Sequence, residues 1–316
     1  MIYIRRPQTD PYFNVAAEEF LLKNRTEDLL MLWQSAPSVV IGKHQNPVAE
    51  VNLDFVQQHN IPVIRRLSGG GTVYHDSGNI NLTVITTVAR GENLVDFKKF
   101  TRPVMAFLKR FGLTASFEGK NNLTVNGKKF SGNAAHVFKN RVLHHGTLLY
   151  QADLHRLEKI IHPGNGHISD KSVKSVRATV ENLSQQIKNP PPLSGFLQEL
   201  KTYLKDYYAV SRETELTDAE QQAIEKLAAE KYKSWQWNTG YSPKYTLRQK
   251  RQTEYGTFVV TLEVNEGLIT AIELIFEGKK LEKIGQQLLG QKHDKNELRK
   301  ALADNRFSET IIQTLF

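Results

Sequence analysis

Twelve consecutive residues have types that could bind a phosphate group. They form segment 65–76, RRLSGGGTVYHD, in which two arginines precede three glycines. Glycines allow backbone conformations closed to other residues, and successive N–H groups can then form a concave site for phosphate oxygens. The guanidinium groups of Arg65 and Arg66 could bind the same oxygens in forked geometry. Neither common nucleotide-binding pattern, G-x-x-x-x-G-K-[ST] or G-x-G-x-x-G, occurs here, so a tight structural turn is the alternative interpretation.

Lys129 is a second candidate because of the turn that precedes it. Asn126-Gly127 lies between two strand-like runs and predicts a hairpin, since a type I′ turn needs positive φ at both positions. A lysine held on such a strand could neutralise charge on an α-phosphate and polarise a nearby carbonyl group. The small pair Ser131-Gly132 would leave room beside it. An ordinary surface lysine is the alternative.

Two histidines and a tryptophan complete the set of candidates. His144 and His145 are adjacent in a strand-like run, so they face opposite sides and cannot bind one metal ion together. Structural packing is the default interpretation for both. Trp33 could pack in a core or line an apolar ligand tunnel. No metal site is predicted, and the absence of Cys excludes thiolate ligands and Cys nucleophiles.

The elements that must position these residues follow a mixed α/β pattern over the first 150 residues. Alternation of polar and apolar residues at 79–86 predicts a half-buried antiparallel strand. The other predicted strands are 2–5, 29–33, 38–41 and a short one after Pro62, with a second hairpin near 139–140. Helices are predicted at 15–23, with Phe13, Ala17, Phe20 and Leu21 buried, at 100–111, and through most of 154–233. A final hairpin spans 257–275 and precedes two or three short helices.

Length and composition set the domain organisation and exclude some classes. A chain of 316 residues with 40% hydrophobic residues can form one large domain and a small one, and we predict the boundary near Pro243. No segment approaches ~20 continuous apolar residues and no signal peptide is evident, so we expect a soluble, cytoplasmic protein without membrane contact. The net charge of +9 attracts anions, but the basic residues are dispersed rather than grouped in an Arg-rich block.

These segments resemble the lipoate–protein ligase A family, which includes lipoyltransferases. The resemblance covers nearly the whole chain from Phe13, more weakly in the last 70 or so residues. Its motifs stand in family order: VVIGxxQNP at 39–47, RRxSGGGTVYHDxGN at 65–79, KxSG at 129–132, HGTLL at 145–149, SVR at 175–177 and WxW at 235–237. The implied fold is α/β (α+β), with a mixed, largely antiparallel sheet flanked by helices and shared with biotin–protein ligases. Residues 1–243 would form this catalytic domain, and 244–316 a small α+β accessory domain.

The resemblance also implies a reaction and its site residues. ATP, with Mg²⁺, would convert lipoate to lipoyl-AMP, and the lipoyl group would pass to a lysine of lipoyl domains in 2-oxo acid dehydrogenase E2 subunits or the glycine cleavage H protein. Lys129 would be catalytic, contacting the α-phosphate and the lipoyl carbonyl. ATP or adenylate would be bound by Arg66, Gly71, Thr72, Val73, Tyr74, Asn121, Lys129, Ser175 and Arg177. Lipoate would be bound by Trp33, Arg65, Ser68, Gly70, His75, Ser131, Gly132, His136 and His145.

Three other functions remain open at this stage. Asn122 stands where the family often has an aspartate, which would be a better ligand for Mg²⁺ than a neutral amide. The nearest alternative is therefore a lipoyltransferase that uses lipoyl-AMP or a lipoylated protein without efficient ATP activation. A biotin ligase is more distant. A nucleic-acid binder would suit the charge, but no interleaved aromatic platform or reading motif supports it, so we expect no nucleic-acid partner.

Overall fold

The computed structural model describes residues 1–89, 91, 93–161, 167–176 and 178–316. Contacts between residues divide this chain into two compact units. The first unit comprises Met1–Lys43, Ile61–Glu158 and Ser175–Lys233, and the second comprises His44–Asn60, Lys159–Lys174 and Ser234–Phe316. Each unit is described by itself below. The predicted division of function at residue 243 stays a prediction.

The strands of both units confirm the mixed, largely antiparallel architecture. Their bounds, in chain order, are β1 Ile2–Ile4, β2 Leu29–Trp33, β3 Ser38–Ile41, β4 Val63–Arg65, β5 Val73–His75, β6 Asn79–Thr87, β7 Ala115–Glu118, β8 Asn122–Val125, β9 Lys128–Phe138, β10 Arg141–Leu149, β11 His167–Asp170, β12 Arg212–Thr214, β13 Tyr245–Thr253, β14 Gly256–Asn265, β15 Leu268–Phe276 and β16 Lys279–Lys280. Over the described residues, the first unit has an eight-stranded sheet in the order β12-β1-β2-β6-β10-β9-β8-β7 and a three-stranded sheet β4-β3-β5. β1 pairs in parallel with β2 and β12, whereas the neighbours from β2 to β7 are antiparallel.

Several of the helices begin at a residue whose side chain caps the first turn. Their bounds are α1 Pro11–Asn24, α2 Pro47–Glu50, α3 Leu53–Gln58, α4 Phe97–Leu108, α5 Leu154–Ile160, α6 Leu183–Gln186, α7 Leu193–Tyr207, α8 Asp218–Leu227, α9 Glu282–Leu288, α10 Lys295–Ala301 and α11 Ser308–Thr314. α1 begins four residues before the predicted start, because the carboxylate of Asp10 accepts a hydrogen bond from the N–H of Phe13 at 2.7 Å and Pro11 suits a first turn. Phe20 is only half-buried, contrary to prediction, whereas Glu18 and Glu19 of the same helix are buried.

The centre of the large sheet corrects one prediction. β6 is an antiparallel strand, as expected, but both of its faces are buried rather than one. Ile80, Leu82 and Val84 belong to the main apolar cluster of the first unit. Asn79, Asn81 and Thr83 on the other face are at most 2% exposed. Alternation in a sequence distinguishes polar from apolar sides, but it cannot distinguish solvent from a buried polar site.

The turns confirm the predicted hairpins, and two short strands were missed. Asn126 and Gly127 both have positive φ, 51° and 73°, and Lys139 has φ of 56° at the second hairpin. The region 154–233 was predicted to be mainly helical, and it also contains β11 and β12. β12 has only three residues and pairs with β1 at the edge of the large sheet. Strands this short leave no periodic pattern to detect.

The second unit is an antiparallel sheet packed on short helices. Its strand order is β11-β13-β14-β15-β16 among the described residues, and α9, α10 and α11 follow the predicted final hairpin. Leu247, Leu262 and Ile311 are fully buried in its apolar cluster. The small C-terminal α+β architecture predicted from the sequence is therefore confirmed. Within the described ranges, no helix of either unit has the length and apolar character that a membrane crossing needs.

Candidate active site

The glycine loop (residues 67–72) joins β4 to β5 and lies directly against neighbouring backbone. Gly70 has φ of +86°, which favours glycine. A Cβ atom on Gly42 would overlap with the carbonyl oxygen of Gly70, so only glycine fits there as well. Among the described residues, the N–H groups of Gly69, Gly70 and Gly71 have no hydrogen-bond partner. The loop is thus both a tight turn and a row of available donors, the two readings that the sequence left open.

Arg66 shapes this loop from inside. Its side chain is buried, and its Nε donates to Ser68 Oγ at 2.9 Å while Nη1 donates to the carbonyl oxygen of Val40 at 3.0 Å. Its Nη2 donates to the carbonyl oxygens of Gly69 at 2.6 Å and Gly71 at 2.8 Å. A guanidinium group has five N–H donors, so these four bonds leave at most one for a ligand. Burial lowers the pKa of Arg66 to about 10, which still leaves it charged at neutral pH.

Arg65 binds the same backbone segment as Arg66 Nη1. Its side chain is fully buried, and Nη1 donates to the carbonyl oxygens of Lys43 at 2.9 Å and Gly42 at 3.3 Å. Both arginines therefore contact segment 40–43, and Arg66 contacts the glycine loop as well. The forked binding of one phosphate by both guanidinium groups stays a prediction.

Lys129 has an ammonium group that is available to a ligand. Its backbone N–H donates to the carbonyl oxygen of Thr179 at 2.8 Å, and its carbonyl accepts from the N–H of Glu181 at 3.0 Å. The Nζ atom lies 3.3 Å from the position that a Cβ atom would take on Gly132, so this glycine leaves room for the ammonium. Burial, and then the charge of Arg66, lower the pKa of Lys129. No hydrogen bond or ion pair to Nζ occurs within the described part of the chain.

Residues 175–177 were predicted to close over the adenylate. Ser175 lies at the glycine loop: its Oγ accepts a hydrogen bond from the N–H of Thr72 at 3.0 Å. A Cβ atom on Gly71 would lie 3.1 Å from the same oxygen. Arg177 is outside the described residues. This contact brings the predicted closing segment and the glycine loop together.

Asn121 contacts the strand that follows Lys129. Its Nδ2 donates to the carbonyl oxygen of Asn133, and its own carbonyl accepts from the backbone N–H of Asn133 at 3.0 Å and from Nδ2 at 2.9 Å. Asn133 Nδ2 also donates to Ser131 Oγ at 3.2 Å. The N–H of Gly132 donates to Thr147 Oγ1 at 3.3 Å. Asn121 and Ser131 thus support the backbone on both sides of Gly132.

A connected set of buried polar side chains lies behind the glycine loop. Ser68 Oγ is 2.6 Å from His145 Nε2, and His145 Nδ1 is 2.9 Å from Glu18 Oε2. Thr83 Oγ1 donates to Glu18 Oε1 at 2.6 Å and accepts from Trp33 Nε1 at 2.9 Å. We call these residues, with Arg66, the Glu18 network.

The order Ser68, His145, Glu18 has the connectivity of a nucleophilic triad. Ser68 has no exposed surface, however, and its oxygen already accepts from Arg66 Nε. A donor on that oxygen lowers its nucleophilicity, and burial prevents attack on a carbonyl group. The arrangement therefore positions side chains rather than supplying a nucleophile.

The remaining candidates surround this network. The His75 ring meets the Trp33 ring edge-on at 5.7 Å between centroids, and burial, followed by Arg66, lowers the pKa of His75 to about 3. His136 is half-buried and two positions from Ala134, which pairs with His145, so it shares a face with His145. Val73 and Tyr74 lie on β5, and the Tyr74 side chain is buried.

His144 confirms the prediction that the two histidines face opposite sides. Its ring stacks on Phe100 with centroids 5.2 Å apart and meets Phe97 edge-on. Its Nε2 accepts from the N–H of Asp96 at 3.3 Å. Burial lowers its pKa to about 4. His144 is a packing residue, whereas His145 belongs to the Glu18 network.

Glu18, Thr83 and Asn133 were not identified from the sequence. Glu18 lies on a helix for which only the apolar positions were predicted to be buried. Its place next to Ala17, one of those positions, was the available signal that its carboxylate could be buried as well. Thr83 belongs to the polar side of β6, which was assigned to solvent. Across the described ranges, no group of three or more His, Asp or Glu side chains is arranged to hold a metal ion.

Comparisons with known proteins identify the family. The lipoyl protein ligase A/B catalytic domain matches residues 10–205, and the bacterial lipoate protein ligase C-terminus matches residues 242–315. The lipoate–protein ligase 1 of Staphylococcus aureus is 35% identical over 303 residues, covering 94% of this chain and 91% of that protein. The chain therefore belongs to the lipoate–protein ligase family.

Solved structures agree in fold. A lipoate-protein ligase A bound with ATP superposes with a TM-score of 0.64 and 23% identity, covering 75% of this chain and 97% of the other. An archaeal structure from Thermoplasma acidophilum, described as a bi-partite lipoate protein ligase and its E2 lipoyl domain, has a TM-score of 0.60 and 22% identity, covering 75% and 94%. At these identities the likeness supports the fold alone.

Proposed function

We propose that this chain is a lipoate–protein ligase that forms lipoyl-AMP from lipoate and ATP and then acylates a lysine of a lipoyl domain. The observation that carries the proposal is the Lys129 ammonium, half-buried beside Arg66 and without an anionic partner among the described residues. Two neighbouring cations of this kind repel each other, and an anion placed between them would relieve the repulsion. The free N–H groups of the glycine loop supply further donors for the same anion.

The first half-reaction joins lipoate to AMP. A carboxylate oxygen of lipoate attacks the α-phosphorus, the bond to the β-phosphate oxygen breaks, and pyrophosphate leaves with the electron pair. Lys129 would neutralise charge on the α-phosphate as the attack proceeds. Arg66, Gly71, Thr72, Val73, Tyr74, Asn121 and Ser175 would hold the nucleotide, Arg66 mainly by shaping the loop. We propose Arg177 for the same group, although it lies outside the described residues.

The second half-reaction transfers the lipoyl group to the acceptor. The neutral amine of the acceptor lysine attacks the lipoyl carbonyl, and AMP leaves with the electron pair of the anhydride bond. Lys129 would stabilise the leaving phosphate, so no nucleophile of the enzyme is needed. Ser175, which contacts the glycine loop, would help to keep water from the anhydride before the acceptor arrives.

The acyl chain would lie along the buried polar and aromatic residues behind the loop. Trp33 and His75 form an edge-on pair there, with Arg65, Ser68, Gly70 and His145 close to the glycine loop. His136, Ser131 and Gly132 extend this surface along β9. We propose these residues as the lipoate site.

Magnesium and the acceptor are further parts of the proposal. Because the described residues contain no carboxylate cluster, Mg²⁺ would be held mainly by the phosphates of ATP, as this ion often is. The acceptors would be lipoyl domains of E2 subunits and the H protein, and the net charge of +9 would attract acidic ones. ATP, lipoate and these acceptors meet in the cytoplasm, the location we propose. Residues 1–243 would carry catalysis and 244–316 an accessory role.

The test is lipoate-dependent release of pyrophosphate from ATP and Mg²⁺, with and without a purified lipoyl domain. Mass spectrometry of the domain reports transfer separately. Release together with a lipoylated domain is the expected result, and it would make Asn122 a tolerated replacement in β8.

Two other outcomes would overturn parts of the proposal. Modification from supplied lipoyl-AMP without pyrophosphate release would identify a lipoyltransferase and implicate Asn122. Release that depends on biotin instead of lipoate would contradict the substrate assignment.

A further inference from the structure

Two series of hydrogen bonds converge on Glu18 in this network. Trp33 Nε1 can only donate, so Thr83 Oγ1 accepts from it and donates its own proton to Glu18. In the other series, Arg66 Nε can only donate to Ser68 Oγ. Ser68 Oγ lies 2.6 Å from His145 Nε2, the next group of this series.

The Glu18 carboxylate determines where one proton of His145 lies. An ionised carboxylate can only accept, so His145 Nδ1 carries a proton and donates it to Glu18 Oε2 at 2.9 Å. Both series of donors thus end at one ionised group. Glu18 is 4% exposed. Burial raises the pKa of its carboxyl group, but His145, Thr83 and Arg6 together lower this pKa below its ordinary value. A carboxylate can accept hydrogen bonds from Thr83 and His145 with its two oxygens. An amide of the same size has only one acceptor oxygen, and its NH₂ group is a donor.

The two series begin in different parts of the candidate site. Trp33 belongs to the acyl side, where it packs against His75. Arg66 belongs to the nucleotide side, where its Nη2 holds the carbonyl oxygens of Gly69 and Gly71. A change in the position of one series therefore reaches the other through the single carboxylate that both share.

Glu19, the next residue of α1, shows what a merely structural buried carboxylate looks like. It is 3% exposed and accepts from Lys23 at 2.6 Å, Lys231 at 2.7 Å and Tyr232 at 2.5 Å. Its partners include two cations and a tyrosine hydroxyl, and they come from α1 and from residues 231–232. Glu18 and Glu19 are thus equally buried and differ in what they connect.

We propose that Glu18 is a positioning residue whose carboxylate couples the acyl side of the site to the glycine loop, so that lipoate and nucleotide bind cooperatively. This inference rests on the proposed function, because it takes the two sides of the network to be the lipoate and nucleotide sites. Lipoate that contacts Trp33 would favour one geometry of the shared carboxylate. That geometry holds His145, Ser68 and Arg66 in place, and with them the backbone that the nucleotide meets.

Calorimetric titration of the whole chain tests this coupling. The probe is α,β-methylene-ATP with Mg²⁺, titrated with and without saturating lipoate. In the unsubstituted protein, lipoate is expected to tighten nucleotide binding by at least about fivefold, the lower end of typical coupling. In Glu18→Gln the ratio is expected to fall below about twofold, because the amide must turn its own donor toward His145 or Thr83.

Matched variants separate positioning from stability. Glu19→Gln removes an equally buried charge from the same helix and is expected to lower the melting temperature while keeping the coupling ratio. Thr83→Val should lose part of the coupling and Thr83→Ser should restore it, since the two differ in the hydroxyl that donates to Glu18. The Thr83 pair also carries the test if Glu18→Gln does not fold.

The outcomes are distinct. Full coupling in Glu18→Gln, or independent binding of the two ligands to the unsubstituted protein, would overturn the inference and leave the proposed function standing. Failure of the unsubstituted protein to bind lipoate or the ATP analogue at all would overturn both. Loss of coupling in Glu19→Gln as well would show that the effect is a general one of helix α1, against the proposal.

Discussion

The two faces of β6 are both buried, but one carries apolar side chains and the other carries polar ones. One face presents Ile80, Leu82 and Val84 to the apolar cluster that α4 and α7 complete. The other presents Asn79, Asn81 and Thr83 toward Trp33 and Glu18. Removal of apolar surface from water stabilises the first face without regard to direction. The polar face is stabilised only where its donors and acceptors form hydrogen bonds.

The polar face does not satisfy all of its groups. Within the described residues, Asn79 Oδ1 and Asn81 Nδ2 of β6 are buried without a hydrogen-bond partner, as is Nε2 of His75 on β5. A buried group left unsatisfied costs roughly 1–3 kcal/mol, so this face is less stable than it would be with apolar residues. Such a cost is expected where a ligand site is built. Burial alone therefore does not distinguish the core from the candidate site. The presence of buried polar atoms without hydrogen-bond partners does distinguish them.

The largest expected effect comes from the ammonium group that the site leaves available. Lys129→Ala should lower lipoate-dependent pyrophosphate release by at least about 10²-fold, since a preorganised charge at a reacting phosphate is lost. Far-ultraviolet circular dichroism and thermal unfolding should stay near those of the unsubstituted protein, because no protein group pairs with Nζ across the described residues.

Lys128→Ala is the matched control. This neighbouring side chain is exposed and pairs with Glu181 at 2.5 Å, so its loss should leave pyrophosphate release within about twofold, as for most surface ion pairs. A folded Lys129→Ala variant with normal turnover would contradict the assigned role and would remove the distinction between the two lysines.

The apolar face should respond in stability rather than in binding. Leu82 is 1% exposed in the main cluster. Leu82→Ala should lower the free energy of unfolding by about 2–5 kcal/mol in urea titrations, from lost transfer energy and the cavity left behind. KM for lipoate and ATP should change little. Leu94→Ala, at an exposed position, should cost less than about 0.5 kcal/mol, and equal losses in the two variants would refute the packing argument.

The smallest effect is a pH dependence on the apolar side. His144 has a folded pKa of about 4 against an ordinary value of 6.5. Between these values the unfolded chain binds a proton that the folded protein does not, so stability is lost as pH falls from 6.5 toward 4. His144→Phe would keep the stacking on Phe100 and remove this loss. The free energy of unfolding of the unsubstituted protein should therefore drop by about 1–2 kcal/mol more than that of the variant between pH 7 and pH 5, and parallel curves would exclude the linkage.

Many local features could be predicted from the residues alone. β2 and β3 have the bounds that their apolar runs predicted, and the turn at Asn126-Gly127 has positive φ at both residues. The separation of His144 from His145 followed from the period of a strand. Each depends only on neighbours in the chain. The motifs around Arg66 and Lys129 indicated two segments whose charges act on each other in the fold, and the residue roles assigned to them stay predictions.

Other features depended on partners far along the chain. Arg65 and Arg66 bind backbone carbonyl oxygens of Lys43 and Val40, which lie 22 and 26 positions away in the chain. Glu18 escaped notice because nothing near it in sequence identifies its partners, His145 and Thr83, which are 127 and 65 positions away. The three-residue β12 is likewise a strand because β1 lies beside it.

The family, the mixed α/β class and the hairpins could be predicted from the order of residues alone, because periodicity, turn chemistry and motif order are local properties of the chain. The identity of the polar side chains that are buried together, and the group that each one binds, depend on the folded chain. Direction in a hydrogen bond is a relation between two atoms, so the convergence of Trp33, Thr83, His145 and Arg66 on Glu18 exists only once the strands and α1 have met.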